Sequence, residues 1–175
     1  LEEGAKIPVM GPLGNGFTRK SGKAVLIGGG IGIPPMLALA KALKAEGAEV
    51  NVVLGYRDGD LFLKKEFEPY ADVYVSTEDG SVGIKGNVID AIRENGLDAD
   101  TIYACGPMPM LRGVKAYAAE KETEAQISLE ERMACGIGAC LGCVCNSIDV
   151  DSHSHVHNKR VCKDGPVFYA EDVTL

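Results

Sequence analysis

The stretch Ala24-Val25-Leu26-Ile27-Gly28-Gly29-Gly30-Ile31-Gly32-Ile33-Pro34-Pro35 decides the fold. Its apolar start reads as a buried strand, and residues 28–32 read as a tight turn. Pro34-Pro35 opens a helix to about Glu46, with Gly47 as its cap. Outward from this unit the alternation repeats. Residues 50–54, 72–76, 101–105 and 125–129 read as strands, and 59–68, 87–95 and 107–121 as helices. A polar, glycine-containing loop spans 77–86. Strands alternating with helices predict an α/β fold with a doubly wound, five-stranded parallel sheet. The short, mostly apolar strands suit a sheet covered on both faces.

Composition sets the bounds. The chain has 175 residues, 46% hydrophobic and 25% charged, as globular proteins do. Net charge is −7, so no electrostatic drive toward nucleic acid exists. The longest uncharged run, residues 24–40, holds glycines and two prolines and is no membrane span. No signal peptide is legible, and no initiator Met is present. The chain therefore reads as a piece of something longer, and a cytoplasmic one.

Past residue 129 the alternation stops and cysteines take over. Cys135, Cys140 and Cys143 show the C-x4-C-x2-C spacing, and Cys162 follows at a distance. This is the plant-type [2Fe–2S] pattern. Structural zinc usually needs two short C-x2-C knuckles, and a second is missing, which leaves zinc as the lesser reading. Gly136, Gly138 and Gly142 alternate with the ligands, so backbone N–H groups can turn toward the sulfurs. Cys145 is a rival for Cys143; the x2 spacing favours Cys143 and makes Cys145 a packing residue. His153, His155 and His157 would suit a Rieske site only with Cys-x-His pairs, which do not occur; they read as the solvated face of a hairpin.

Two further corners carry chemistry. Gly30-x-Gly32-x-x-Pro35 lies between a strand and a helix, where glycines let backbone N–H groups approach a pyrophosphate. A tight turn without a ligand would look similar. The fourth strand ends Cys105-Gly106-Pro107, which places Cys105 at the same carboxyl edge of the sheet. Cys105 is either core filler or a nicotinamide contact, and the paired motifs favour the latter. Arg57 and Asp58 follow the second strand, where a carboxylate would bond a ribose 2′-OH and an arginine a 2′-phosphate; a solvated loop is the other reading.

Together, G-x-G-x-x-P and C-G-P resemble the NAD(P) domain of the ferredoxin–NADP reductase superfamily. The tail 131–140, with Cys162-Lys163-Asp164-Gly165-Pro166-Val167-Phe168, resembles more narrowly the electron-transfer subunits of NAD-dependent dihydroorotate dehydrogenase. Gly11-Pro12-Leu13-Gly14-Asn15-Gly16-Phe17 and Leu54-Gly55-Tyr56-Arg57 also look like that family. The resemblance implies cluster ligands Cys135, Cys140, Cys143 and Cys162. It implies a pyrophosphate turn at Gly30, Gly32 and Pro35, and a nicotinamide corner at Cys105 and Gly106. It implies a route in pyrimidine biosynthesis from a partner FMN subunit, through a [2Fe–2S] cluster and FAD, to NAD+, in a heterotetramer.

One departure is large. The family's FAD barrel carries an R-x-Y-[ST] motif, and no Tyr here is followed by Ser or Thr. Residues 1–22 then read as a connector from a missing barrel, 23–129 as the NAD-binding domain, and 130–175 as the cluster module. FAD belongs to the full-length family, and catalysis is not expected of this chain alone. Subunits of anaerobic NAD(P)H:ferredoxin oxidoreductases or sulfhydrogenases share domain and tail, and a non-catalytic zinc-binding assembly module is the remaining alternative.

Overall fold

The computed structural model describes residues 2–150 and 155–175. In chain order the elements are β1 (Lys23–Gly29), α1 (Ile33–Ala45), β2 (Glu49–Tyr56), α2 (Lys64–Phe67), β3 (Asp72–Thr77), β4 (Ile84–Lys85) and α3 (Val88–Glu94). They continue with β5 (Thr101–Cys105), α4 (Met108–Lys121), β6 (Glu124–Ser128), β7 (Val144–Ser147), β8 (Asn158–Arg160), β9 (Val167–Tyr169) and β10 (Val173–Thr174). Among the described residues one sheet runs β4-β3-β2-β1-β5-β6-β9. Its strands from β4 to β6 are parallel, and β9 is antiparallel to β6. A second sheet, β10-β7-β8, is antiparallel.

The five expected strands are there, and two short ones extend them. β4 forms inside the 77–86 loop, and β9 comes back from the cysteine-rich segment. Two or three residues are too few to show a hydrophobic period.

Both faces of the sheet are buried, which is why its strands are apolar almost throughout. Ala24 and Leu26 face one apolar cluster with α1, and Val25 and Ile27 face the other with α3 and α4. α1 buries Ile33, Met36, Leu39, Ala40 and Leu43, one stripe at helical spacing. α3 starts on a capping box, with Asn87 accepting from Ile89 and Asp90 while Asp90 bonds back to Asn87 N–H.

The connector is strapped to the sheet. Tyr103 is fully buried, and its hydroxyl accepts from Lys20 N–H at 3.0 Å and reaches Thr18 O at 3.2 Å. Gln126 holds both backbone groups of Thr18, at 2.8 and 2.9 Å. Phe17 packs edge-on to Tyr103. Further back, Asn15 N–H donates to Gly165 O at 2.6 Å, and its side chain reaches the carbonyls of Lys163 and Asp164 at 3.2 Å. One short segment thus ties the large sheet to the cysteine-rich segment. Tyr103→Phe should cost about 1–2 kcal/mol, the cost of leaving a part-buried N–H without its acceptor, read as a lower denaturation midpoint. An unchanged midpoint would show that the strap adds nothing to stability.

Candidate functional site: a crevice at the strand ends and a cysteine loop

The carboxyl ends of β1, β2 and β5 lie side by side, with Gly29 opposite Gly55 and Gly28 opposite Cys105. Gly30–Gly32 makes a single 3-10 turn leading into α1. Gly30 has φ +54 and open space where a Cβ would stand. Gly32 is different: a Cβ there would lie 2.1 Å from Cys105 O and 2.6 Å from Gly106 N. The turn and the Cys-Gly-Pro corner therefore touch through backbone. Gly106 in turn faces Gly29, whose O and N would lie 3.0 and 3.1 Å from an added Cβ.

The structure changes the physics of the turn. Helix-start N–H groups are expected to meet a pyrophosphate, but Pro34 and Pro35 have none and the Ile33 N–H donates to Gly30 O. Of the turn residues, Gly30 and Ile31 are exposed and Gly32 is buried, so the N–H groups that could still meet a ligand are those of Gly30 and Ile31. Cys105 also differs from the simple expectation of a crevice thiol. It is 5% exposed, packs in the apolar cluster beneath α1, and burial pushes its thiol pKa up. Arg57 and Asp58 are exposed; Asp58 accepts from Asp60 N–H at 3.0 Å, and Arg57 O accepts from Asp79 N–H.

The cysteine loop is the second half. Cys143 and Cys162 are buried at 1% and 3% exposure, inside the apolar cluster shared with Leu129, Phe168 and the start of α4. Cys135 and Cys140 are half-buried near the surface. Cys162 N–H points at Cys143 Sγ at 3.4 Å, and Cys140 N–H at Cys135 Sγ at 3.4 Å. Gly142 N–H faces Cys140 Sγ at 3.5 Å. The Cys135 thiol is pulled down to about 6 by the N–H of Cys140, then that of Ile137, then the Cys140 side chain and the N–H of Ala139. The Cys143 thiol beside Cys162, and then burial, push Cys162 up.

The thiols stand in two pairs, and no three His, Cys, Asp or Glu among the described residues close on a single-ion site. Paired soft donors ringed by backbone N–H groups fit a binuclear iron–sulfur cluster. Cys145, on β7, is half-buried, packs against the same apolar cluster, and has its thiol raised by burial. Of the histidines, His155 and His157 are exposed, with His157 Nδ1 2.7 Å from Ile148 O, on the turn side of the β7–β8 hairpin. His153 lies outside the described residues.

The profile of the iron-sulfur cluster binding domain of dihydroorotate dehydrogenase B matches residues 130–174, and that of the oxidoreductase NAD-binding domain matches 26–116. The dihydroorotate dehydrogenase B (NAD(+)) electron transfer subunit of Bacillus velezensis is 48% identical over 99% of this chain and 68% of its own length. The chain belongs to this family.

That of Caldanaerobacter subterraneus is 47% identical over 99% of this chain and 68% of its own. The chain thus spans about two thirds of the length of these family members. The solved NADH-dependent reduced ferredoxin-NADP oxidoreductase superposes with a TM-score of 0.82 at 32% identity, over 94% of this chain and 59% of that one. The C-terminal domain of a Pyrococcus furiosus hydrogenase shares the fold, at TM-score 0.55 and 21% identity over 67% of this chain and all of that one. No helix of the described residues is long and apolar enough to cross a membrane.

Some site features escape sequence reading. Arg160 and Asp164 pair beside Cys162, with Nε to Oδ2 at 3.1 Å, and Arg160 Nη1 also reaches Gly138 O at 3.3 Å. The i,i+4 opposite charges were the available signal. The contact with Gly138, 22 residues away, had none.

Proposed function

We propose that this chain relays electrons from a dihydroorotate-oxidising flavin subunit, by way of a [2Fe–2S] cluster and FAD, to NAD+. The four paired cysteines, with N–H groups turned on three of their sulfurs, carry this reading. Cys135 and Cys140 would hold one iron, Cys143 and Cys162 the other. The cluster, when bound, supplies one-electron transfer, and FAD links single electrons to the pair that NAD+ takes.

The chain's own residues do the positioning. The buried pair is set in the core that reaches Met108 and Met110 at the head of α4. That helix starts directly after the Cys105-Gly106-Pro107 corner. The head of α4 thus links the core under the buried pair to the Gly106 side of the corner, while Cys105 packs in the other core, beneath α1. Gly30, Gly32 and Pro35 shape the pyrophosphate turn, and Cys105 with Gly106 lines the nicotinamide corner. Arg57 and Asp58 flank the ribose, and the carboxylate favours NAD over NADP. Residues 23–129 serve as the nucleotide domain and 130–175 as the cluster module, stitched by the β6–β9 pairing. The reducing cytoplasm suits free thiols of this kind.

The test is anaerobic purification with iron, sulfide and flavin analysis, alone and co-expressed with the dihydroorotate-oxidising subunit. About two iron and two sulfide per chain are expected. Zinc instead of iron would sink the reading and favour an assembly module. The likeness to the ferredoxin-NADP oxidoreductase favours a second reading, a subunit of that kind of enzyme. Co-purification with a dihydroorotate-oxidising subunit, in a heterotetramer, separates the two.

The outer pair offers the entry point. Ile137 and Leu141, between the ligands, are 58% and 63% exposed, and Met133 is half exposed. An apolar tip beside surface-near cysteines suits a docking contact. Ile137→Glu or Leu141→Glu should weaken binding to the dihydroorotate-oxidising subunit by about tenfold or more, without loss of iron. Full affinity in both variants, or dihydroorotate oxidation by this chain alone, would refute the docking assignment.

A further inference from the structure

We propose that Arg160 is a positioning residue for the cluster: by tying Gly138 O to the turn that carries Cys162, it holds the outer loop in which the Cys140 N–H meets the Cys135 sulfur, and so sets the reduction potential. This rests on the reading of the four cysteines as iron ligands.

Arg160 ends β8, two residues before Cys162. Its side chain is 15% exposed and tightly aimed. Nε donates to Asp164 Oδ2 at 3.1 Å, and the same oxygen accepts the Arg160 backbone N–H at 2.8 Å. The Arg160 carbonyl accepts from Lys163, Asp164 and Gly165 N–H, closing the turn that carries the pair. From this frame Nη1 reaches across to Gly138 O at 3.3 Å.

A peptide unit is planar and trans, so a pinned carbonyl fixes the opposite direction for the next N–H. That unit leads through Ala139 to the Cys140 N–H, which meets Cys135 Sγ at 3.4 Å. Gly138 sits at φ +79, a backbone conformation that glycine enters freely and other residues rarely do. The Lys163 stem covers the other side, where a Cβ on Gly138 would lie 2.6 Å from Lys163 Cδ. Reduction adds negative charge to the sulfurs, and an N–H aimed at sulfur favours the charged form. Asp164 neutralises Arg160, so the fork rather than the charge is what acts. A lysine keeps the charge but has no fork to hold Asp164 and Gly138 O together.

Iron and sulfide counts on the unsubstituted chain test the cluster reading by themselves. Redox titration followed by EPR, on Arg160→Lys, Arg160→Gln and Asp164→Asn, then tests the inference. All three should keep iron. In Arg160→Lys reduction should be about tenfold less favourable, about 59 mV more negative for one electron, with altered EPR g-values. Arg160→Gln should shift further, because Asp164 is left unpaired. Asp164→Asn loosens the fork but leaves the Arg160 charge uncompensated, so its potential should lie above that of Arg160→Lys. A wild-type potential and spectrum in Arg160→Lys overturns the proposal. So does a lower melting point with an unmoved potential, the mark of a merely structural role. If Arg160→Gln sheds iron, unchanged potentials in the other two overturn it. Iron loss from all three overturns it as well, since the pair would then hold the ligand set together rather than tune it.

Discussion

Cys162→Ser should strip the chain of its iron, and Cys145→Ser should leave it loaded. Cys162 is 3% exposed, and its N–H already points at Cys143 Sγ. It follows β8 in a turn closed by three N–H groups on Arg160 O. A serine there offers a hard oxygen that stays protonated near neutral pH, where soft thiolate is needed. One iron would lose half of its protein ligands, so iron content should fall from about two per chain to well under one. Cys145 lies on the neighbouring hairpin strand, opposite Lys159, and packs into the apolar cluster. Its replacement should lower stability by about 1 kcal/mol through a half-buried hydroxyl, with visible colour and iron intact. Iron counts and the visible spectrum read both results. Iron kept by Cys162→Ser would remove Cys162 from the ligand set, and iron lost by Cys145→Ser would put Cys145 in it.

Gly32→Val should disable the nucleotide domain by unsettling its fold. A Cβ at Gly32 would stand 2.1 Å from Cys105 O and 2.3 Å from Cys105 C, and backbone atoms in a central strand cannot yield. The turn and the Cys105-Gly106 corner must separate. The cost should be roughly 3 kcal/mol or more, a drop of about 6–12 °C in melting point for a chain of this size. NAD binding should fall with it. Gly30 asks the complementary question. Nothing stands within 4 Å of a Cβ there, so Gly30→Ala bears only the strain of φ +54, about 1–2 kcal/mol. Its methyl would occupy the open side by which, on the proposed reading, a pyrophosphate would approach. Weaker NAD binding in Gly30→Ala, beyond its loss of stability, supports the phosphate assignment of this turn. Unchanged NAD binding there would leave Gly32 as a packing glycine and Gly30 as a turn glycine.

The two glycines of one motif thus look alike in sequence and differ in the fold. The motif signals backbone approach, but whether a ligand or another strand approaches depends on what lies across the gap. The same holds for Pro34 and Pro35. They mark a helix start correctly, yet they also remove the N–H groups that a helix start was expected to offer. Cys105 was placed at the right strand end, while its depth under α1 depended on Ile33 and Met36 packing above it.

The sequence by itself determined the strand–helix alternation, the parallel sheet covered on both faces, and the set of cysteines at cluster spacing. These are local patterns, because the period of buried residues and the spacing of ligands are written within one element or one loop. Only the tertiary structure decided the rest. β9 returns to pair with β6, Thr18 is held by Gln126 at a separation of 108 residues, and Arg160 reaches Gly138. Each of these contacts joins groups that share no local pattern. Their partners are set only once the sheet and the cysteine loop have packed and left particular backbone groups facing one another.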